Sequence, residues 1–134
     1  MAKDEVDIET VKSYWLTEAE EALTVSEHLL EKGDNSYALF FGHLAVEKIL
    51  KALYVDRQKE HAPPIHSLHR LAKLAGLSLS KEHTDTLMTI STFNIESRYP
   101  DIKRSFRKKC TTGYTLEQMR IIKETFRWLR KMVI

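Results

Sequence analysis

The most apolar stretch of the chain is SYALFFGHLAVEKILKALYVDR, residues 36–57. Its apolar side chains recur at helical spacing and cover a wide arc, which predicts a long helix at the centre of the protein. A narrow polar stripe remains, because His43, Glu47 and Lys51 are four residues apart. Gly42 costs about 1 kcal/mol relative to alanine in a helix, so we expect another backbone to approach closely there.

Four further segments carry helical periodicity, and no strand pattern or internal repeat competes with them. The expected set is a helix over about 8–31 ended by Gly33, a short helix over 67–76 capped by His66, a helix capped by Ser80 that stops near Ser97 or Arg98, and a last helix capped by Thr115. Asn35 or Ser36 is expected to cap the central helix. Pro63 and Pro64 predict an extended linker after it.

The fold class follows from these segments. The sequence predicts an all-α fold, an antiparallel up-and-down helical bundle of four long helices plus one short helix. The 134 residues suit one domain spanning residues 1–134.

Composition narrows the class of protein. With 43% hydrophobic and 30% charged residues the chain is typical of a globular protein. The single cysteine, Cys110, excludes an internal disulfide and a cysteine-based zinc site. No apolar run approaches the length of a membrane span, and the first residues lack the apolar stretch of a signal peptide. We therefore expect a cytoplasmic protein without membrane contact.

Positive charge accumulates towards the end of the chain. Residues 1–34 hold ten acids and three bases, whereas residues 98–134 hold eleven bases and three acids. Five of these bases, Lys103, Arg104, Arg107, Lys108 and Lys109, fall within seven positions after Pro100, with Phe106 among them. Cations interleaved with an aromatic residue are typical of phosphate and base recognition. A solvated loop after the proline explains the same pattern equally well.

Three motifs together resemble the HEPN domain, the higher-eukaryote and prokaryote nucleotide-binding family. They are Ala45-Val46-Glu47-Lys48 before Leu50-Lys51-Ala52-Leu53, His66-x-Leu68 after the two prolines, and Arg98-Tyr99-Pro100-Asp101. The resemblance covers residues 14 to about 129. It implies an all-α bundle that commonly forms a homodimer, often encoded beside a minimal nucleotidyltransferase.

The resemblance also implies a test for ribonuclease activity. Many HEPN ribonucleases use Arg-x(4–6)-His, in which arginine stabilises the phosphate and histidine moves a proton. Here Arg98 lies in the expected region, but no histidine follows His83 in the sequence. Arg57-x(3)-His61 is one residue short and borders the proline linker. We therefore expect no catalytic residues and no ribonuclease activity.

The candidate site residues each have two interpretations. Arg98 either binds phosphate or pairs with carbonyl groups at a helix end or with an acid on the first helix. Tyr99 either stacks on a base or packs against the protein. Lys48 could reach a phosphate, with Glu47 orienting Arg98 or a ligand hydroxyl. The alternative for Glu47 and Lys48 is a structural ion pair in the bundle or in a dimer interface.

Histidines do not predict a metal site. His66 and His69 are three apart, but no acid stands at a matching helical position to complete a ligand set. His43 is expected to support the site from the polar stripe of the central helix. We predict no metal and no cofactor, and an incidental thiol at Cys110 whose pKa neighbouring bases would lower.

The hypothesis that combines these expectations is a non-catalytic HEPN-type module. Its site, formed by Arg98, Tyr99, Lys103, Arg104, Arg107 and Lys48 with support from Glu47 and His43, would bind the phosphate of a nucleotide or RNA. The resemblance implies a nucleotidyltransferase partner in a two-component, toxin–antitoxin-like system. A divergent HEPN ribonuclease and a purely structural dimerisation module remain as alternatives.

Overall fold

The computed structural model describes residues 7–96 and 98–134, and that part of the chain is helical without strands. The six helices are α1 (Ile8–Glu31), α2 (Asn35–Gln58), α3 (Leu68–Leu74), α4 (Lys81–Ser91), α5 (Pro100–Lys109) and α6 (Thr112–Arg130). The all-α prediction is confirmed. The predicted count of four long helices and one short helix is wrong for the described residues, because α4 is shorter than expected and α5 is an additional helix.

Helix α2 is the central element, as its sequence predicts. It packs most extensively against α1 and also contacts α3, α5 and α6. Its core side chains, including Leu39, Ile49 and Leu50, are fully buried. Gly42 is a point of close approach, since a Cβ atom built there would lie 2.7 Å from Ile122 Cδ1. The close approach expected at this glycine is found, but the approaching groups are the side chains of Ile122 and Ser26 and not a backbone.

The turn between α1 and α2 has the hydrogen bonds of a Schellman motif. Gly33 has a φ of +80°, its N–H donates to Leu30 O at 3.1 Å, and Asp34 N–H donates to Leu29 O at 2.9 Å. Gly33 ends α1 as predicted. The N-cap of α2 is Asp34 rather than Asn35 or Ser36, and its side chain makes no capping hydrogen bond.

The second half of the chain differs from the sequence prediction in its boundaries. Helix α4 is capped by Ser80 as expected, but it ends at Ser91. The expected stop at Ser97 lies outside the described residues. Helix α6 begins one turn earlier than predicted, because the Thr111 hydroxyl accepts a hydrogen bond from Tyr114 N–H and serves as the cap. Thr115 is instead buried inside the helix, where its hydroxyl donates to Thr111 O at 2.7 Å.

The linker between α2 and α3 is non-helical, as the two prolines predict. Leu68 N–H, at the start of α3, donates to Ser91 Oγ at the end of α4 over 3.1 Å. This bond joins two short helices that pack together beside α2. None of the described helices combines the length and the apolar character that crossing a bilayer requires.

Candidate functional site

The basic run forms helix α5, which begins at Pro100. Proline suits the first helical position, because its φ is already helical and its missing N–H would have no partner there. Asp101 lies in the first turn, whereas Arg107, Lys108 and Lys109 lie in the last turn. Both placements complement the helix dipole. The interpretation of Pro100 as a stop followed by a loop is therefore wrong, and the cations lie on a helix.

Four of the five cations on α5 share one face. At 100° per residue, Lys103, Arg104, Arg107 and Lys108 fall within an arc of about 140°, which we call the basic face. Lys109 lies on the other side, where its Nζ is 5.2 Å from the ring centroid of Tyr114. No residue of α5 is buried.

Helix α5 is attached to the core mainly through an aromatic contact. The ring of Phe106 is half-buried, and its centroid lies 5.5 Å from the centroid of the fully buried Phe93. Phe106 lies about 60° beyond the Lys103 edge of the basic face, on the side of α5 that packs against Phe93. Its role is therefore packing, which leaves the basic face directed outwards.

Most of the basic face lacks acidic partners. Lys103 Nζ lies 3.6 Å from Glu96 Oε2 in a partly exposed pair. Within residues 7–96 and 98–134, no carboxylate lies within 4.0 Å of the side-chain nitrogens of Arg104, Arg107 or Lys108. Unpaired cations on one face produce a positive potential that attracts anions. Among the described residues, Arg104, Arg107 and Lys108 therefore share one side of α5 without a paired carboxylate, whereas Lys103 is paired with Glu96.

Arg98 and Tyr99 precede α5 and are exposed. Arg98 Nε donates to Asn94 O at 3.4 Å, a backbone carbonyl of the connection after α4 and not one of the last carbonyls of that helix. Tyr99 is 77% exposed and is the N-cap residue of α5 without a side-chain capping bond. Its ring is therefore free of the packing role that was the alternative to base stacking.

A cleft of about 320 Å³ lies between the α4–α5 connection and α5. Arg98 and Lys109 provide its cations, Thr92 and Ser105 its hydroxyl groups, and three apolar side chains its remaining surface. No histidine or carboxylate is among the described residues that line it. The cleft therefore offers an arginine for a phosphate but no side chain suited to move a proton at neutral pH.

Glu47 belongs to a cluster of three buried residues on α2 and the exposed His66 of the linker, and not to the basic face. Glu47 Oε2 lies 3.0 Å from Lys51 Nζ and 3.1 Å from His66 Nδ1, and Glu47 Oε1 lies 3.6 Å from His43 Nε2. We call these four residues the α2 cluster. Glu47 and Lys51 are 5% and 7% exposed. The idea that Glu47 orients Arg98 is wrong, because its carboxylate is occupied by the cluster.

Lys48 also has a structural partner. Its Nζ donates to Glu18 Oε1 at 3.0 Å, which joins α2 to α1. Arg98 and Tyr99 directly precede α5, but the cleft that Arg98 lines lies against Ser105 and Lys109, on the side of α5 away from the basic face. Lys48 makes its contact on α1. The alternative interpretation of Lys48 as a structural ion pair fits this contact.

His43 is fully buried and has no hydrogen-bond partner at either ring nitrogen. Glu47 Oε1 is also unpaired. Burial disfavours the imidazolium and lowers the pKa of His43 from 6.5 to about 4, although Glu47 acts in the opposite direction. His43 is therefore a neutral core histidine, and its supporting role in a phosphate site is not borne out by any contact with α5.

His66 does not cap α3, contrary to the expectation. Its Nδ1 contacts Glu47, and the N-cap of α3 is Ser67, which makes no side-chain capping bond. The sequence missed this contact because 19 residues separate its partners. Among the described residues, no group of histidine, cysteine, aspartate and glutamate side chains could hold a metal ion.

Cys110 is buried behind the end of α5. Burial raises the pKa of its thiol to about 11, and the neighbouring Lys109 offsets this only in part. The expectation that nearby bases would lower this pKa is wrong, because desolvation outweighs them. Asn35 Nδ2 donates to Cys110 O at 3.0 Å and joins the start of α2 to the end of α5.

Sequence reasoning also missed two concave regions. A cavity of about 440 Å³ lies between the α1–α2 turn and the end of α5, with Ser36 and Arg107 in its wall. A groove of about 430 Å³ lies between α4 and α6, where the rings of His83 and Trp128 stack with centroids 3.8 Å apart. Neither has a local sequence signal, because each combines residues far apart in the chain.

Comparison with known proteins adds two findings. A family model described as HEPN domain matches residues 13–133. The structure is similar to the crystal structure of TT1696 from Thermus thermophilus, with a TM-score of 0.73 and 21% sequence identity, over 90% of this chain and 97% of that chain. At this identity the likeness shows a shared fold. No curated protein matches the chain.

Proposed function

The chain belongs to the HEPN domain family, and we propose that it is a non-catalytic member whose basic face binds the phosphates of a nucleotide or RNA. The observation that carries the proposal is the absence of acidic partners for Arg104, Arg107 and Lys108 among the described residues. Cations that are exposed and unpaired can exchange their counterions for phosphates.

Arg98 and Tyr99 extend this surface at the start of α5. The guanidinium of Arg98 can bind a phosphate in bidentate fashion, and the exposed ring of Tyr99 can stack on a base. Both residues lie immediately before the helix that carries the basic face, so a nucleotide strand that passes around the first turn of α5 can contact them and the basic face. Lys48, Glu47 and His43 are excluded from the proposed site, because their contacts are with α1 and the α2 cluster.

The non-catalytic assignment rests on the surroundings of Arg98. Its cleft offers Ser105 and Lys109 but no histidine or carboxylate among the described residues. Ordinary serine and lysine side chains are poor general bases near neutral pH. Binding without cleavage is therefore the expected outcome.

A salt-dependent binding experiment tests the proposal. We expect the triple variant Lys103→Ser, Arg104→Ser, Arg107→Ser to weaken binding of a fluorescent single-stranded RNA measured by anisotropy. Loss of three phosphate contacts should reduce the slope of log affinity against log salt by about 2. The matched control removes three exposed cations elsewhere, by Arg57→Ser, Lys73→Ser and Arg127→Ser. Equal weakening by both triples would show a net-charge effect and contradict a site on α5.

The same RNA separates binding from catalysis. Intact RNA after prolonged incubation with the purified protein is expected. Cleavage that is lost in Arg98→Ala would instead identify a divergent ribonuclease. If the protein neither binds nor cleaves the RNA, the remaining alternative is a structural dimerisation module.

The proposed context is a homodimer in the cytoplasm that partners a minimal nucleotidyltransferase in a two-component, toxin–antitoxin-like system. Family membership supports this context. The test is co-expression with a nucleotidyltransferase encoded beside this chain's gene. A complex of fixed stoichiometry in analytical ultracentrifugation is expected, and separate sedimentation of the two proteins would contradict the partnership.

A further inference from the structure

The cavity between the α1–α2 turn and the end of α5 combines three features that each favour an anion. It has a volume of about 440 Å³, and Asp34, Ser36, Tyr37 and Arg107 contribute to its wall. This volume exceeds that of one phosphate group and leaves room for part of the molecule that carries it. The cavity is distinct from the cleft beside Arg98, with which it shares no lining residue.

The first feature is the N-terminus of α2. This helix is 24 residues long, and the side chain of its N-cap Asp34 makes no capping hydrogen bond. Ala38 N–H is the first in the helix to reach a backbone acceptor, Asp34 O at 2.8 Å. The N–H groups of Ser36 and Tyr37 are thus available at the positive end of the helix dipole, where phosphates bind in many proteins.

The second feature is the side chain of Ser36. Ser36 is 6% exposed, and its hydroxyl makes no hydrogen bond to any described residue. Among the described residues the fully enclosed side-chain atoms without a partner belong to His43 and Glu47, so the Ser36 hydroxyl keeps access to the open cavity. Ser36 lines the cavity, so a ligand oxygen there would satisfy it. This observation is independent of the helix terminus.

The third feature is Arg107, which comes from a different helix. Within the described residues its guanidinium has no carboxylate within 4.0 Å. The hydrogen bond from Asn35 Nδ2 to Cys110 O, 3.0 Å long, ties the first residue of α2 to the residue that follows α5. This bond fixes the end of α5, and with it the backbone of Arg107, relative to the N-terminus of α2. A guanidinium positioned in this way can bind two phosphate oxygens.

We propose that this cavity binds the phosphate group of a phosphate monoester, through the N-terminus of α2, the Ser36 hydroxyl and Arg107. The inference rests on the proposed function, because Arg107 belongs to the basic face, and it specifies a terminal rather than an internal phosphate. Asp34 also lines the cavity, and its carboxylate opposes anion binding. Its effect is opposite in sign to that of the other residues, which makes the proposal easier to test.

Inorganic phosphate is the first probe. Its binding to the full chain is measured by NMR. We expect saturable shifts of the Ser36 and Tyr37 amide signals. Arg107→Gln should weaken the affinity about tenfold, and Ser36→Ala several-fold, as typical for charged and neutral hydrogen bonds. Asp34→Asn should tighten the affinity several-fold. Arg127→Gln removes an equal charge from an exposed position on α6 and should change the affinity less than twofold.

The outcomes distinguish this proposal from the function on which it rests. Absence of amide shifts at Ser36 and Tyr37, or equal weakening by Arg107→Gln and Arg127→Gln, overturns the phosphate cavity even if RNA still binds to α5. Phosphate binding in the cavity without any RNA binding overturns the proposed RNA function and leaves the cavity in place.

Two RNAs of the same sequence then identify the source of the phosphate. Stronger binding of the 5′-phosphorylated RNA than of the 5′-hydroxyl RNA, with the difference abolished by Ser36→Ala, assigns the cavity to an RNA end. Equal binding of the two RNAs, together with inorganic phosphate binding, assigns it to a small phosphorylated molecule such as a nucleotide.

Discussion

The α2 cluster and the basic face of α5 use charged side chains in opposite ways. In the α2 cluster, Glu47 and Lys51 are buried and lie 3.0 Å apart. On α5 no residue is buried, and most cations have no described carboxylate within 4.0 Å. The comparison shows that burial and ion-pair partners decide whether a charged motif is available to a ligand. Both segments are rich in charge, but only α5 leaves it available to a ligand.

The energetic difference between the two regions is large. Removing one partner of a buried ion pair leaves a charge without compensation and costs about 3–5 kcal/mol. Changing an exposed charge has an effect of about 0.5 kcal/mol or less on stability. We therefore expect the α2 cluster to contribute to stability, whereas the role proposed for the basic face is binding. Three substitution experiments test this contrast.

The largest expected effect is that of Glu47→Gln. The substitution keeps the shape of the side chain but leaves the buried Lys51 without its counter-charge, so we expect the free energy of unfolding to fall by about 3 kcal/mol. Urea denaturation followed by circular dichroism measures it. Glu117→Gln is the matched control, because Glu117 pairs with Arg120 on the surface. Equal losses in the two variants would show that the cluster is effectively solvated.

A pH series gives a somewhat smaller effect. The pKa of His43 is 6.5 in the unfolded chain and about 4 in the folded protein, so the unfolded state binds the proton first as the pH falls. The contribution of neutral His43 to the free energy of unfolding is fully present above pH 6.5 and is lost as the pH falls towards 4. The groups that face His43 are Glu47, Lys51 and His66.

Between pH 7 and pH 5 we expect the wild type to lose about 2 kcal/mol more than His43→Gln. Urea denaturation at each pH measures the difference between the two proteins. His61→Gln changes an exposed histidine and should keep the wild-type pH dependence. If His43→Gln has the same pH dependence as the wild type, His43 is not a buried neutral histidine.

The smallest expected effect comes from the double variant Arg104→Gln, Lys108→Gln. It removes two charges from the basic face, but the free energy of unfolding should change by no more than about 0.5 kcal/mol. RNA affinity should nevertheless fall in the anisotropy assay. A loss of stability above about 1 kcal/mol would mean that these cations hold α5 in place, and the contrast between the two regions would no longer hold.

The core of the fold was predictable because it depends on local patterns. Apolar periodicity located α1 and α2, Gly33 marked the end of α1, and Gly42 marked the close approach of α6. These sequence patterns predict the structure reliably because a helix that is buried on most sides needs apolar residues at regular spacing. The assignment of one domain over residues 1–134 stays a prediction.

Helix α5 was missed for a physical reason. It has ten residues and buries none of them fully, and its apolar side is short, since apart from Pro100 only Ile102 and Phe106 are apolar among seven polar or charged residues. Pro100 carries no information by itself about which side of it is helical, since proline ends one helix and starts another equally well. In the same way, Thr111 and Thr115 both precede plausible helical residues, and only the hydrogen bond from Tyr114 N–H distinguishes them.

The candidate site was predictable only in part. The basic run and Arg98 stand next to each other in the sequence, so their proximity follows directly. Two other features depend on how the helices pack, which local sequence patterns do not encode. They are the contact of Glu47 with His66 and the cavity that Ser36 and Arg107 both line. Sequence reasoning offered a structural ion pair as one alternative for Glu47 and Lys48, which their contacts with Lys51 and Glu18 fit, but it could not name these partners, and it overlooked the cavity at the start of α2.

Pro100 has a consequence for recognition. The pyrrolidine ring restricts the backbone in the unbound chain as well as in any complex, and the first turn of α5 has fewer conformations to lose. A basic segment that is disordered before binding must give up that freedom when it meets its ligand, which reduces its affinity. Here a single covalent ring removes part of that entropic cost before any anion arrives.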